Sequence, residues 1–257
     1  FDPAYFLSFV DGKTTRRASY AASFGFTTGL QEKRDRVKAL IDQFDAIAVR
    51  DTNSLSIIQN ECQANANKVL DPTFLGSYSA LISPPKHKKY MLIYGGLTPE
   101  QQQHVKAIAT AKRAQIISIG YACKCADVSL SMASPQQWLS YFAHAEGIFT
   151  SFFHGVIFSI IFKRPFYAFA RADKSVKIND LLSDLQLQDR VIAEGDYSQP
   201  IFEPIEYEGV GDRLAPLLQN SSSYITNTLS TANHSANPSE KAQGSIHPVS
   251  SGVISNS

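Results

Sequence analysis

A histidine followed at once by glycine, His154-Gly155, lies inside the stretch GIFTSFFHGVIFSIIFKRPF, residues 147–166. Imidazole gives and takes a proton near neutral pH, so it serves as a general acid or base. The residues before it read as a short buried strand ending near Thr150, then a tight turn, with a buried helix starting near His154. A helix start presents unpaired N–H groups and the positive end of the helix dipole, and so attracts anions. The stretch therefore offers acid–base chemistry beside an anion seat. The plainer reading of a lone histidine in an apolar setting is a satisfied core or boundary residue, and the local pattern alone does not separate the two. A membrane span fits the stretch poorly. It needs about 20 mostly apolar residues, whereas the run is broken by Thr150, Ser151, His154 and Ser159 and stopped by Lys163, Arg164 and Pro165.

Open parallel α/β sheets bind ligands at the carboxyl ends of their strands. Three polar groups fall at such ends: Ser23-Phe24-Gly25, Arg50-Asp51, and Ser151 through Gly155. Arg50 suits a carboxylate or phosphate through a two-pronged contact; its plain reading is decoration of a helix entrance. The shared position of the three groups is better evidence than any one of them. No P-loop, GxGxxG, GxSxG or HExxH pattern competes. Ser23 has no clear histidine partner, which argues against a serine hydrolase, and His144 reads as packing or surface on the helix that holds Trp138.

The elements that would position these groups alternate. Residues 16–22 and 46–49 read as strands, 31–44 as a helix with Val37, Leu40, Ile41 and Phe44 on one face, and a further helix starts at Ser54 before a short strand over 68–70. Residues 77–89, with Pro84-Pro85 and the basic Lys86, Lys88 and Lys89, read as a linker. Strands follow at 90–94, 115–119, 147–150 and 165–170. Thr98-Pro99-Glu100-Gln101 and Ser134-Pro135-Gln136-Gln137 are capping-box helix starts. Helices are expected at 154–163, 177–187 and 211–229, and a Ser/Asn/Thr-rich disordered tail at 230–257. Strands alternating with helices imply parallel sheets with right-handed crossovers.

The chain has 257 residues, 44% of them hydrophobic, with a formal net charge of +1. That charge makes no electrostatic case for nucleic acid. Cys62, Cys123 and Cys125 are a sparse, odd set that suggests a reducing compartment, and no further ligands join Cys123 and Cys125 at a metal-site spacing. There is no signal peptide, and the opening FDPAYFLSFV, without an initiator methionine, reads as the interior of a domain belonging to a longer protein.

The chain resembles the polysaccharide pyruvyl transferase family. The resemblance rests, in order, on FDPAYFLSFV, RRASYAASFG, AIAVRDTNSLSII, KVLDPTFL, SPQQWLSYFAHAEGIFTSFFHGVIFSIIFKRPF and INDLLSDLQLQDRV, with the block around His154 the most specific part. It implies a GT-B-like α/β fold of two Rossmann-like parallel-sheet domains, the first incomplete. Residues 1–76 would be the rear of the first domain, 77–89 the linker and 90–205 the second domain. Residues 206–229 would form a C-terminal extension whose helix packs back toward the first.

It also implies pyruvyl transfer from phosphoenolpyruvate to a sugar, commonly as a ketal, at a cytoplasmic location or at the inner face of the membrane. The acceptor would be a sugar or a lipid- or nucleotide-linked saccharide. No metal or cofactor is demanded. By the same resemblance His154 is the acid–base group and Arg50 meets the donor's anionic groups, with Ser23, Ser151 and the backbone around Gly155 as further contacts. One departure stands at the centre: many members have Asp-Ser-Phe-His-Gly, or an arginine two residues before the histidine, and this chain has Ser151-Phe152-Phe153-His154-Gly155. That departure keeps a nucleotide-sugar glycosyltransferase on the same scaffold open as an alternative, and a truncated remnant without activity is the third reading.

Overall fold

The computed structural model describes residues 2–169, 175–197 and 203–235. They form an α/β structure on two parallel sheets. In the smaller sheet β1 (Ala48–Val49) pairs with β2 (Asn67–Lys68). Residues 16–22, expected as a strand, instead touch this sheet through two single bridges, Ala18 to Ala46 and Ala22 to Val49. Ala21 takes a left-handed φ of 53°, which interrupts the extended backbone between them. α1 (Arg34–Ile41) buries Val37 and Ile41 against Ile47, Val49, Ile57 and Ile58. α2 (Thr52–Ser56) starts earlier than the sequence suggests because Asp51 caps it: the Asp51 carboxylate accepts the Ser54 N–H at 2.7 Å.

The larger sheet has six strands: β3 (Tyr90–Tyr94), β4 (Gln115–Ile119), β5 (Val128–Leu130), β6 (Gly147–Thr150), β7 (Phe166–Phe169) and β8 (Val191–Ile192). Their order is β5-β4-β3-β6-β7-β8, all parallel. The chain starts at the centre, winds outward to β5, returns to lay β6 beside β3, and winds out the other way, which is the Rossmann order. β6 and β7 are buried along their whole length, which is why GIFT and FYAF read as continuous apolar runs. The short strands β5 and β8 at the sheet's two edges left no such run in the sequence.

Helices cover both faces. α3 (Pro99–Lys112) packs Val105, Ile108 and Ala109 against Met91, Ile93 and Phe149. On the opposite face α4 (Pro135–His144), α5 (Phe153–Ile161), α6 (Ser175–Asp184) and α7 (Tyr207–Ser235) join the largest apolar cluster with Tyr90, Leu92 and Phe166. Both expected capping boxes are present, at Thr98 with Gln101 and at Ser134 with Gln137. Residues 77–89 are pinned to α4: Ser83 N–H donates to Ser140 Oγ at 3.0 Å, and His87 Nδ1 lies 2.8 Å from the Tyr141 hydroxyl.

α7 reaches back to the smaller sheet. Tyr224 donates its hydroxyl to the Ser19 carbonyl, Asn220 donates its amide to the Lys68 carbonyl, and Ser221 Oγ accepts the Leu70 N–H, each at 2.9 Å. α6 adds an ionic tie, with Lys68 Nζ 2.9 Å from Asp180 and 2.7 Å from Asp184. Residues 230–235, expected to begin a disordered tail, continue α7; the rest of that expectation lies outside the described residues.

The seat of α5 on β6 is tight. A Cβ on Gly155 would stand 2.1 Å from Thr150 Oγ1 and 2.7 Å from its Cβ. Gly155→Ala is therefore expected to lift α5 from the sheet and cost about 2 kcal/mol of stability, measured by urea unfolding. A cost of a few tenths would show that this contact does not set the helix position.

Candidate active site

β3 and β6 lie side by side where the strand order reverses, and the crevice beyond their carboxyl ends is the ligand position of such sheets. The turn leaving β6 is fixed by its own side chains. Thr150 Oγ1 donates to the Tyr94 carbonyl at 2.7 Å and accepts the Phe152 N–H at 3.1 Å, and Ser151 Oγ donates to the Gly96 carbonyl at 3.2 Å. Gly95, at φ 132°, permits this approach; a Cβ there would stand 2.3 Å from Ser151 Oγ. α5 then starts at Phe153 with no side-chain cap from Phe152, so the first-turn N–H groups of Phe153 and His154 have no intrahelical acceptor. Gly155 departs from its expected part, because its N–H is spent on the Phe152 carbonyl at 3.0 Å and the residue serves close packing instead. Ser151 reaches the crevice wall, but it is buried with its hydroxyl committed to Gly96.

His154 is half exposed, and its Nε2 lies 3.7 Å from Oδ2 of Asp71, which is 3% exposed. Asp71 follows β2, so the pair joins the two sheets. The same Oδ2 accepts Arg50 Nη1 at 2.8 Å, while Oδ1 accepts the Thr73 N–H at 3.1 Å and its hydroxyl at 2.6 Å. Burial pushes the Asp71 carboxyl up, but the contacts with His154, Thr73 and Arg50 outweigh it and hold the group well below the usual carboxylate range. A fixed negative charge thus stands behind the imidazole. Arg50, expected on the donor's anionic groups, is committed to Asp71, and its guanidinium carbon lies 5.5 Å from the Phe153 ring centroid.

The cleft that His154 faces has a volume of about 320 Å³ and is also lined by Lys177, Phe26, Tyr94, Tyr121 and Phe152. Lys177 projects from α6, 5.9 Å from the Phe26 ring centroid. Burial and then the charge of Arg50 push its pKa down, while Asp51 and Asp71 pull it up. Ser23 is not part of this cleft. Its hydroxyl accepts the Gly25 N–H at 3.0 Å, and it lines a separate cavity of about 900 Å³ with Phe24, Val37, Ile41 and Val49. Among the described residues no group of three or more His, Cys, Asp and Glu is placed to hold a metal ion, and no helix is long and apolar enough to cross a membrane.

Sequence reasoning passed over Asp71 and Lys177. Asp71 carried a usable signal, since it follows a short strand just as Arg50-Asp51 does. Lys177 carried none beyond marking the start of a helix. The arrangement can move a proton at His154, balance the resulting charge with Asp71, and hold an anion at the α5 start with Lys177 nearby.

Comparison with solved structures finds distant likeness. A UDP-GlcNAc 2-epimerase from Methanocaldococcus jannaschii is 12% identical, with a TM-score of 0.49 over 86% of this chain and 72% of that one. A UDP-glucosyltransferase from Polygonum tinctorium is 12% identical, with a TM-score of 0.39 over 75% of this chain and 54% of that one. A wall teichoic acid polymerase is 13% identical, with a TM-score of 0.36 over 81% of this chain and 58% of that one. The chain spans little more than half the length of the latter two. Comparison with curated proteins gives no match. The sequence pattern of the polysaccharide pyruvyl transferase family, by contrast, matches residues 1–173, the part that holds Arg50, Asp71 and His154, and the chain belongs to that family.

Proposed function

We propose that the protein transfers a pyruvyl group from phosphoenolpyruvate to a pair of hydroxyls on a saccharide, with His154 as the proton-transfer group. The observation that carries this reading is the imidazole at the start of α5 with the buried, ionised Asp71 behind it. Phosphoenolpyruvate brings a phosphate and a carboxylate. The free N–H groups of Phe153 and His154 and the Lys177 ammonium are the groups that would take them. Lys177 thereby supplies a cation near the position where Phe152 replaces the expected arginine.

The imidazolium gives its proton to the methylene carbon, which leaves an oxocarbenium-like centre at the neighbouring carbon. A sugar hydroxyl adds there and passes its proton to the imidazole. The bond from that carbon to the phosphate oxygen then breaks, phosphate departs, and a second hydroxyl closes the ketal, its proton leaving with the phosphate. Asp71 stands as a carboxylate behind the imidazole, and Arg50 and Thr73 keep Asp71 ionised and in place. On this reading residues 1–76 are the rear of the first half of a GT-B-like frame and 90–205 are the second half, with 77–89 between them. The reaction belongs on the cytoplasmic side, at the inner membrane face where the acceptor is lipid-linked.

Phosphoenolpyruvate is expected to protect the protein against thermal unfolding and, with a saccharide acceptor, to release phosphate. His154→Ala should lower kcat by roughly 10²- to 10⁴-fold; unchanged turnover would remove the histidine from this role. Protection by a nucleotide-sugar and none by phosphoenolpyruvate would overturn the reading as a whole. Lys177→Ala should raise the KM for phosphoenolpyruvate by about tenfold or more with a smaller change in kcat, and an unaltered KM would place the donor elsewhere.

Asp71→Asn leaves Arg50 without its counter-charge and should cost about 2 kcal/mol at neutral pH. Because the folded Asp71 carboxyl ionises below its unfolded value, the stability it lends is complete above about pH 4 and is lost as pH falls below that. The variant should therefore lose less stability than the wild type on acidification from pH 5 to pH 2, as read by thermal melting.

A further inference from the structure

Three aromatic rings form part of the cleft that His154 faces. The Phe152 ring lies 5.1 Å from Tyr94 and 5.2 Å from Tyr121, at interplanar angles of 70° and 55°. Behind them Trp138 packs edge-on against Tyr94 at 5.1 Å and stacks on Phe142 at 3.9 Å. The group is thus an outgrowth of the core and not a set of loose side chains. Gly120, at φ 72°, turns the chain at the end of β4, and Tyr121 follows it into the cleft, 50% exposed. Of these rings Tyr121 is half exposed, while Tyr94 and Phe152 are partly buried against one another, so the group presents one formed face to the cleft.

We infer that Tyr121 and Phe152 are the seat of the acceptor: the C–H face of one neutral pyranose ring rests on them, with its hydroxyls turned toward His154. This rests on the pyruvyl-transfer reading for the identity of the acceptor. An aromatic face carries the negative part of the ring quadrupole, and the axial C–H groups of a pyranose offer the complementary positive edge. The tyrosine hydroxyl adds a hydrogen-bonding group at the rim. Phe152 is two residues before His154, so a ring lying on it has hydroxyls within reach of the imidazole. The cleft volume of about 320 Å³ is at the low end for small-molecule sites, suiting a three-carbon acid beside one sugar ring. Phe152 then has a positive purpose: it gives a neutral wall to a cleft that His154 and Lys177 also line.

The test is saturation-transfer NMR on the full chain with a panel of neutral methyl pyranosides, beside thermal protection by phosphoenolpyruvate. One face of a pyranoside should receive saturation, and Tyr121→Ala should weaken its binding roughly tenfold. Tyr121→Phe should stay within about twofold of the wild type, since the ring remains. Phe152→Ala should match Tyr121→Ala, with unaltered circular dichroism showing that each variant is folded. Protection by phosphoenolpyruvate should be unchanged in Tyr121→Ala. Equal pyranoside binding in the wild type and Tyr121→Ala, or saturation of uridine in place of every pyranoside, would overturn the inference while leaving the donor reading intact. Loss of pyranoside binding in Tyr121→Ala, in a protein that phosphoenolpyruvate does not protect, would keep the sugar seat and overturn the donor.

Discussion

A buried carboxylate with three partners is the joint on which the site depends. Asp71 stands at the end of the smaller sheet, and its oxygens are divided among Thr73, Arg50 and His154. Burying a charge is tolerable only when its lone pairs are satisfied. That requirement fixes the side chains around it: Thr73 must fold back, Arg50 must point inward, and the β6–α5 turn must bring His154 to the same oxygen. The electrostatic demand of one residue thereby adds a tie between two separately built sheets.

The larger sheet contributes the other half of the joint by steric means. β6 ends in a threonine whose hydroxyl bonds both the neighbouring strand and the turn after it. Gly155 lets α5 come down on that threonine. His154 is therefore held by packing from below and faced by charge from the opposite sheet. Rigid placement of this kind is what proton transfer requires, since a group displaced by an ångström loses most of its effect.

Much of this frame was legible in the sequence for identifiable reasons. The runs YMLIY, QIISI, GIFT and FYAF are apolar because parallel strands covered on both faces must be, and the capping boxes at Thr98 and Ser134 are local rules obeyed locally. The helix that carries His154-Gly155 in its first turn was readable from its apolar run. Residues 16–22 failed as a strand because the left-handed backbone at Ala21 is a tertiary choice that no alternation reveals. Ser23 lies outside the His154 cleft because a strand end marks a direction in one sheet and not a distance to the other. Asp71, Lys177 and Tyr121 meet His154 from three different segments, and such convergence is a property of the assembled chain.

The return of α7 to the smaller sheet gives these contacts a further meaning. Tyr224, Asn220 and Ser221 grip residues 19, 68 and 70, while the body of α7 belongs to the apolar cluster of the larger sheet. The residue before Asp71 is thus held by a helix that belongs to the core of the other sheet. One helix therefore ties the segment that leads to Asp71 to the core beneath His154, so a change in its seating reaches both members of the pair.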